Sequence, residues 1–203
     1  MSRSPEQLLL GEWACLGILC AGDSHGFAIA ARLKPEGDIG RVWALSRALT
    51  YRALDQLTAR GYVVAVGEEP GKAGGARTIL SASPAGHLQL SAWLGTPVEH
   101  LRDLRSELLL KLVLADLCRV DVSDMLQRQR AHIARLADVL ATSPTSESGG
   151  DTSADVVRLW RRELSQAALR FLDAVVPAAS AERSPAELSS AIQEVVRRTT
   201  PTW

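Results

Sequence analysis

The chain has 203 residues, 46% of them hydrophobic, which is enough for one ordinary domain or two small ones with a buried core. Its 23 basic residues balance 23 acidic ones, so net charge argues neither for nor against nucleic acid and only local charge matters. Three cysteines without a C-x-x-C pair and four scattered histidines exclude a disulfide scaffold or a patterned zinc site, and fit a reducing cytoplasm with no metal and no cofactor.

Leu8, Leu9, Glu12, Trp13, Leu16, Leu19 and Cys20 recur at helical spacing. Glu12 interrupts the apolar run, which is too short to span a membrane, so a buried first helix is expected rather than a signal peptide. After Gly22, Ser24 or Asp23 can cap a second helix from His25 to about Leu33, with Phe27, Ile29, Ala30 and Leu33 available for a core. His25 itself is read as capping or packing that helix. Pro35, Gly37 and Gly40 mark a turn, with Trp43 and Leu45 anchoring its far end.

Ser46 is a good N-cap for a third helix, Arg47 to Arg60, ended by Gly61. Leu49, Ala53, Leu54 and Leu57 form its apolar face, and Arg47, Thr50, Tyr51 and Arg52 lie mostly off it. The period then changes. Tyr62 to Val66 reads as a strand, Pro70 to Gly75 as a turn, and Arg77 to Ala82 as a returning strand. Pro84 opens another helix with Leu88, Leu90, Trp93 and Leu94. Helix, helix, turn, helix, strand, loop, strand is the order of a winged helix-turn-helix with a two-stranded wing.

After Pro97 the pattern is helical. Leu101, Leu104, Leu108, Leu112 and Ala115 line one face, widened by Leu109, Val113 and Leu117. Val122, Met125 or Leu126, Gln129, Ile133, Leu136 and Leu140 then step by three and four, a heptad seam interrupted by one Gln. A Ser/Thr/Gly-rich connection runs from Thr142 to Ser153. Val157, Trp160, Leu164, Ala167, Phe171 and Ala174 repeat the alternation up to Pro177, and Pro185 starts a last short helix.

A helix that reads DNA buries one stripe and presents its N-terminal side to the major groove. Ser46, Arg47, Thr50, Tyr51 and Arg52 fit that role, Arg47 for guanine or phosphate and the hydroxyls for phosphate oxygens. Lys72 and Arg77 fit a wing near the backbone or minor groove. The residues alone leave a solvated helix face and a plain polar hairpin open. From Ser24 to Ser83, eight basic residues face five acidic ones, a modest excess. Gly71-Lys72 is not a phosphate-binding loop, because no Ser or Thr follows and a strand stands where a helix is required. No nucleophile elbow or paired-carboxylate pattern points to an enzyme. Trp13, Trp43 and Trp93 read first as packing residues, and Trp13 and Trp93 are the candidates for an effector site.

Several motifs taken together resemble the PadR-family transcriptional regulators. They are Leu16-Gly17-Ile18-Leu19, Gly22 and His25-Gly26-Phe27; then Ser46, Tyr51-Arg52-Ala53-Leu54, Leu57 and Gly61-Tyr62-Val63; then Arg77 and Ser83-Pro84-Ala85-Gly86. The match runs from about Leu8 to Leu94, and the helical remainder is similar to the C-terminal dimerisation region of the longer members. Phe27 stands for the usual Tyr, Ile79 and Leu80 for paired aromatics, and Ser83 for Thr. The resemblance implies a homodimeric, ligand-responsive regulator, usually a repressor, with Ser46, Arg47, Thr50 and Tyr51 facing double-stranded DNA and Lys72 and Arg77 in the wing.

The expected fold is therefore mainly α. Residues 1–96 form a winged helix-turn-helix, and residues 97–203 form a coiled-coil-like helical region for dimerisation and a small-molecule effector. The expected function is a cytoplasmic, non-enzymatic DNA-binding regulator that recognises an inverted repeat, without a membrane partner. The alternative is a protein-interaction module that keeps the winged fold but does not bind DNA.

Overall fold

The structure is a computed structural model and describes residues 8–70, 76–142 and 152–180. Lys72, most of the expected Ser/Thr/Gly-rich connection and the expected helix after Pro185 lie outside the described residues. The chain divides into two compact units, Met1–Leu94 with Arg105–Val120 and Gly95–Leu104 with Asp121–Trp203.

Helix α1 (Leu10–Ala21) is the central rod of the first unit, and every residue from Gly11 to Leu19 is buried. That all-round burial explains its largely apolar sequence. Glu12, the one charge inside it, is also buried because its Oε2 accepts the Leu9 N–H at 2.7 Å and satisfies a donor at the helix start. Strand β1 (Ser24–His25) precedes helix α2 (Gly26–Arg32). The helix starts one residue later than the sequence suggests, and its cap is neither Ser24 nor Asp23. The His25 Nδ1 accepts the Ala28 N–H at 3.1 Å, which satisfies one of the open donors of the first turn. The following turn is tied by an ion pair between Arg32 and Asp38 and by the Gly40 N–H donating to the Arg32 carbonyl at 3.0 Å. Hydrogen bonds from Arg32 hold the Asp38 carboxyl below the usual carboxylate range. Leu45 closes the segment, its N–H bonded to the Leu33 carbonyl at 2.9 Å.

Helix α3 (Arg47–Ala59) begins at Ser46, whose Oγ accepts the Leu49 N–H at 3.3 Å. It ends at Gly61, where φ is +73°, a left-handed conformation that favours glycine. There the Tyr62 N–H reaches the Leu57 carbonyl and the Gly61 N–H the Thr58 carbonyl, both at 2.9 Å, a Schellman closure that satisfies two terminal carbonyls. Strands β2 (Val63–Pro70) and β3 (Ala76–Ala82) form the wing. The sheet is antiparallel with order β1-β3-β2, so β1 adds a third strand to the expected pair. A bulge between Ala65 and Gly67 lets β2 run longer than the β-branched segment that announced it. Helix α4 (Pro84–Leu94) is capped by Ser83, whose Oγ accepts the Gly86 N–H at 3.1 Å and donates to the Gly61 carbonyl at 2.7 Å. One hydroxyl thus ties the end of α3 to the start of α4.

A 3₁₀ turn (Leu101–Asp103) and a π-helical turn (Leu104–Leu108) lead into helix α5 (Leu109–Cys118). Helix α5 packs on α1, and the Cys118 thiol donates to the Gly17 carbonyl at 3.3 Å. The π turn changes the helical register. The buried positions become Leu110, Lys111, Leu114 and Ala115, while the expected Leu112 and Val113 are half-buried.

The second unit is built from helices α6 (Ser123–Thr142) and α7 (Thr152–Ser180), which pack on each other. Val122, Met125, Leu126, Gln129 and Ile133 are buried as the heptad reading expects. Gln129 is not a flaw in that seam. Its side-chain oxygen accepts the Val98 N–H and its amide donates to the Val98 carbonyl, pairing both backbone groups of one residue. Helix α7 continues past Pro177 to Ser180. A proline so close to a helix end disturbs only the last intrahelical bonds. Among its described side chains Ser165, Leu172 and Val175 are buried, whereas Val157, Trp160, Ala167 and Phe171 of the expected seam are exposed. The seam read from sequence is displaced by one residue from the face that α7 buries within its own unit.

Candidate nucleic-acid interface

The first turn of α3 is open to solvent. Ser46, Arg47, Ala48, Leu49, Tyr51 and Arg52 are all exposed. The exposed helix start carries the positive end of the helix dipole, which favours an anion. Ser46 still has its hydroxyl proton to donate, because its cap bond uses the oxygen as acceptor.

Two positions differ from the sequence reading. Thr50 is fully buried, at 0% exposure, and its hydroxyl donates to the Ser46 carbonyl at 3.0 Å. It locks the start of the helix and lies on the buried face, not on the exposed side with Arg47 and Tyr51. Leu49, expected in the core, is 51% exposed. The buried stripe is Thr50, Ala53, Leu54 and Leu57, the i, i+3, i+4, i+7 pattern of one face. A threonine that spends its hydroxyl within its own helix can occupy a core position, so hydrophobicity alone chose the wrong neighbour.

Around this turn the structure gathers residues from three elements. Arg47 lies with its guanidinium carbon 5.5 Å from the Phe27 ring centre and 5.6 Å from the Tyr51 ring centre. Arg77 on β3 approaches Phe27 at 5.9 Å. The Tyr51 ring lies against Gly26, where a Cβ would come within 2.9 Å of the ring, so only glycine admits this packing without a shift. A cavity of about 520 Å³ is lined by His25, Phe27, Arg47, Tyr51, Asp55 and Arg77, among others. The expected Arg47, Tyr51 and Arg77 are thus brought together, and Arg52 is exposed on the same helix.

His25 connects this cluster to the wing. Its Nδ1 is occupied as acceptor of the Ala28 N–H, so the neutral ring carries its proton on Nε2. That atom lies 3.2 Å from the Glu69 carboxylate on β2 and 3.4 Å from Arg77 on β3. One imidazole therefore caps α2 and touches both wing strands. Sequence reasoning assigned it only to the helix and did not single out Glu69. Phe27 was also missed at the interface, because an aromatic at helical spacing reads as core; at 54% exposure it is not core.

The effector candidates Trp13 and Trp93 are also brought together. Their rings stack with centres 4.6 Å apart and planes 8° from parallel. The Lys111 ammonium sits 4.8 Å from the Trp93 ring centre and 3.1 Å from the Glu107 carboxylate. Lys111 is fully buried, and burial pulls its pKa down against the opposing pull of Glu107. Burial pushes the thiols up, Cys15 and Cys20 to about 12 and Cys118 to about 11. Among the described residues, no group of three or more His, Cys, Asp or Glu side chains could hold a metal ion. No described helix is long and apolar enough to cross a membrane.

No protein-family model and no curated protein matches the chain. Among solved structures it is similar to Bacillus subtilis PadR in complex with operator DNA, at 20% identity over 81% of this chain and 97% of that one, with a TM-score of 0.41. It is similar to Bacillus subtilis PadR in complex with p-coumaric acid at 20% identity, over 84% and 99% of the two chains, with a TM-score of 0.40. A third similar structure, the transcriptional regulator PadR from Bacillus subtilis, has 19% identity over 85% and 100%, with a TM-score of 0.36.

Proposed function

We propose that the chain is a cytoplasmic DNA-binding transcriptional regulator, not an enzyme, that lays the start of α3 in the major groove and the wing beside it. The observation that carries this reading is the exposed first turn of α3, with Arg47 and Tyr51 on it and Arg77 facing it from the wing. Arg47 is the base-reading residue. Ser46, Tyr51 and Arg52 contact phosphates, and Lys72 and Arg77 extend the contact along the wing. Residues 1–96 supply the DNA-binding half and residues 97–203 the dimerisation half, although α5 packs on α1.

The finer reading is a homodimeric, ligand-responsive repressor acting on an inverted repeat. Its support for a dimer is the exposed apolar ridge of α7, where Trp160 is 65% exposed and Val157 and Phe171 accompany it. Such a ridge is costly in water and suits a second copy of the same helix. The ligand response belongs to the Trp13–Trp93 stack. A molecule that parts or displaces the stacked rings would change tryptophan emission, and a small-molecule screen in which none does so would retire that assignment.

The test of DNA binding is a gel shift on the region upstream of the chain's own gene. The parent should bind with strong salt dependence, and Arg47→Ala should lose sequence preference, at about 1–3 kcal/mol per lost base contact. Equal shifts by both proteins would refute the role of Arg47. The competing reading, a winged module that binds a protein, draws on Glu69 and Asp55, which place carboxylates beside the same cluster. It predicts no salt-sensitive DNA binding at all.

A further inference from the structure

We infer that Phe27 is a specificity residue that reads the 5-methyl group of a thymine beside the guanine bound by Arg47; the inference rests on the DNA-binding reading above. Phe27 is more than half exposed at the first turn of α2, where a phenyl ring gains nothing from water. It is not a loose surface ring, because Arg47 and Arg77 both bring their guanidinium groups within 6 Å of its centre. This is the range of a cation–π contact. The ring thus stands between the helix that carries the base-reading arginine and the strand that carries the wing arginine.

The chemistry of the ring selects its target. A phenyl group has no donor for a phosphate oxygen, and Arg77 beside it already serves that purpose. Of the groups that base pairs present in the major groove, the thymine methyl is the apolar one. The distance sets the position. Arg47 lies 5.5 Å from the ring centre and successive base pairs rise by about 3.4 Å, so the methyl belongs one or two steps from the guanine. The contacts with Phe27 and Tyr51 also restrain the Arg47 guanidinium, so the ring that would reach the methyl also steadies the group that would read the guanine.

The test uses the full-length protein and a duplex that it selects from a random-sequence pool. Each thymine of that duplex is replaced singly by deoxyuridine, which deletes only the methyl. One position per half-site, within two base pairs of the Arg47-dependent guanine, should weaken parent binding about fourfold, the worth of one buried methyl. Phe27→Ala should bind the unmodified duplex more weakly and show no further loss with uracil at that position. Phe27→Leu should keep part of the sensitivity. The inference is overturned if no uracil position weakens the parent, or if Phe27→Ala keeps the parent's full sensitivity. If the pool yields no salt-sensitive duplex, the DNA reading itself fails, and this inference with it.

Discussion

Removing the Ser83 hydroxyl should loosen the joint on which the winged unit is built. In Ser83→Ala the Gly86 N–H loses its cap acceptor and the Gly61 carbonyl loses its donor. Loss of an N-cap costs about 1 kcal/mol. Loss of the second bond adds about 0.5–1.5 kcal/mol, at the lower end because Gly61 is exposed and water can replace the donor. The sum is about 1.5 kcal/mol, or about 3–6 °C in Tm for a chain of this size. Urea unfolding followed by tryptophan emission suits the measurement, since Trp13, Trp43 and Trp93 all lie in this unit. Ser83→Thr keeps both bonds and should stay within about 1 kcal/mol of the parent. A Ser83→Ala protein whose unfolding midpoint does not move would refute the claim that this hydroxyl joins α3 to α4.

Three further outcomes follow from the same geometry. The raised Cys15 thiol keeps its proton in the folded chain when the unfolded chain releases it above about pH 9. Its contribution is whole below pH 9 and falls as pH rises toward 12, at up to about 1.4 kcal/mol per pH unit. Lys111, with its lowered pKa, acts in the opposite direction below its ordinary value of 10.5. Cys15→Ala should flatten the decline between pH 9 and 10 in urea unfolding, and an unchanged slope would contradict the assignment. In α7, Trp160→Glu should convert a dimer to a monomer in sedimentation analysis; a parent that is already monomeric, or a variant that stays dimeric, would remove the ridge as the dimer contact. Thr50→Val should leave DNA affinity within about twofold of the parent, because its hydroxyl serves the Ser46 carbonyl, although it costs about 1 kcal/mol of stability. A large loss of binding would place Thr50 at the DNA after all.

The element order of the first unit was legible because its punctuation is local. Ser46, Gly61 and Ser83-Pro84 mark helix ends through bonds that span only a few residues. What sequence could not resolve depends on tertiary partners. Thr50 enters the core because Ser46 satisfies its hydroxyl, and Leu49 leaves it by one step of rotation. Phe27 has the residue type of a core position but stands among arginines brought from two other elements. Strand β1 has only two residues and exists through its pairing with Ile79 and Leu80, far along the chain. In α7 both adjacent faces are apolar, so periodicity found a seam but could not say which face its own unit would cover. Of the expected interface, Arg47, Tyr51 and Arg77 do converge in space, while Thr50 does not join them.

Whether the exposed start of α3 meets DNA is decided by the affinity of the parent and of Arg47→Ala for one selected duplex across a salt series. The parent's log affinity should fall steeply with log salt concentration, by about 0.9 for each phosphate neutralised. Arg47→Ala should no longer distinguish the selected duplex from a scrambled one. A parent affinity that is flat in salt, or an Arg47→Ala protein that discriminates as well as the parent, would contradict the DNA-binding reading.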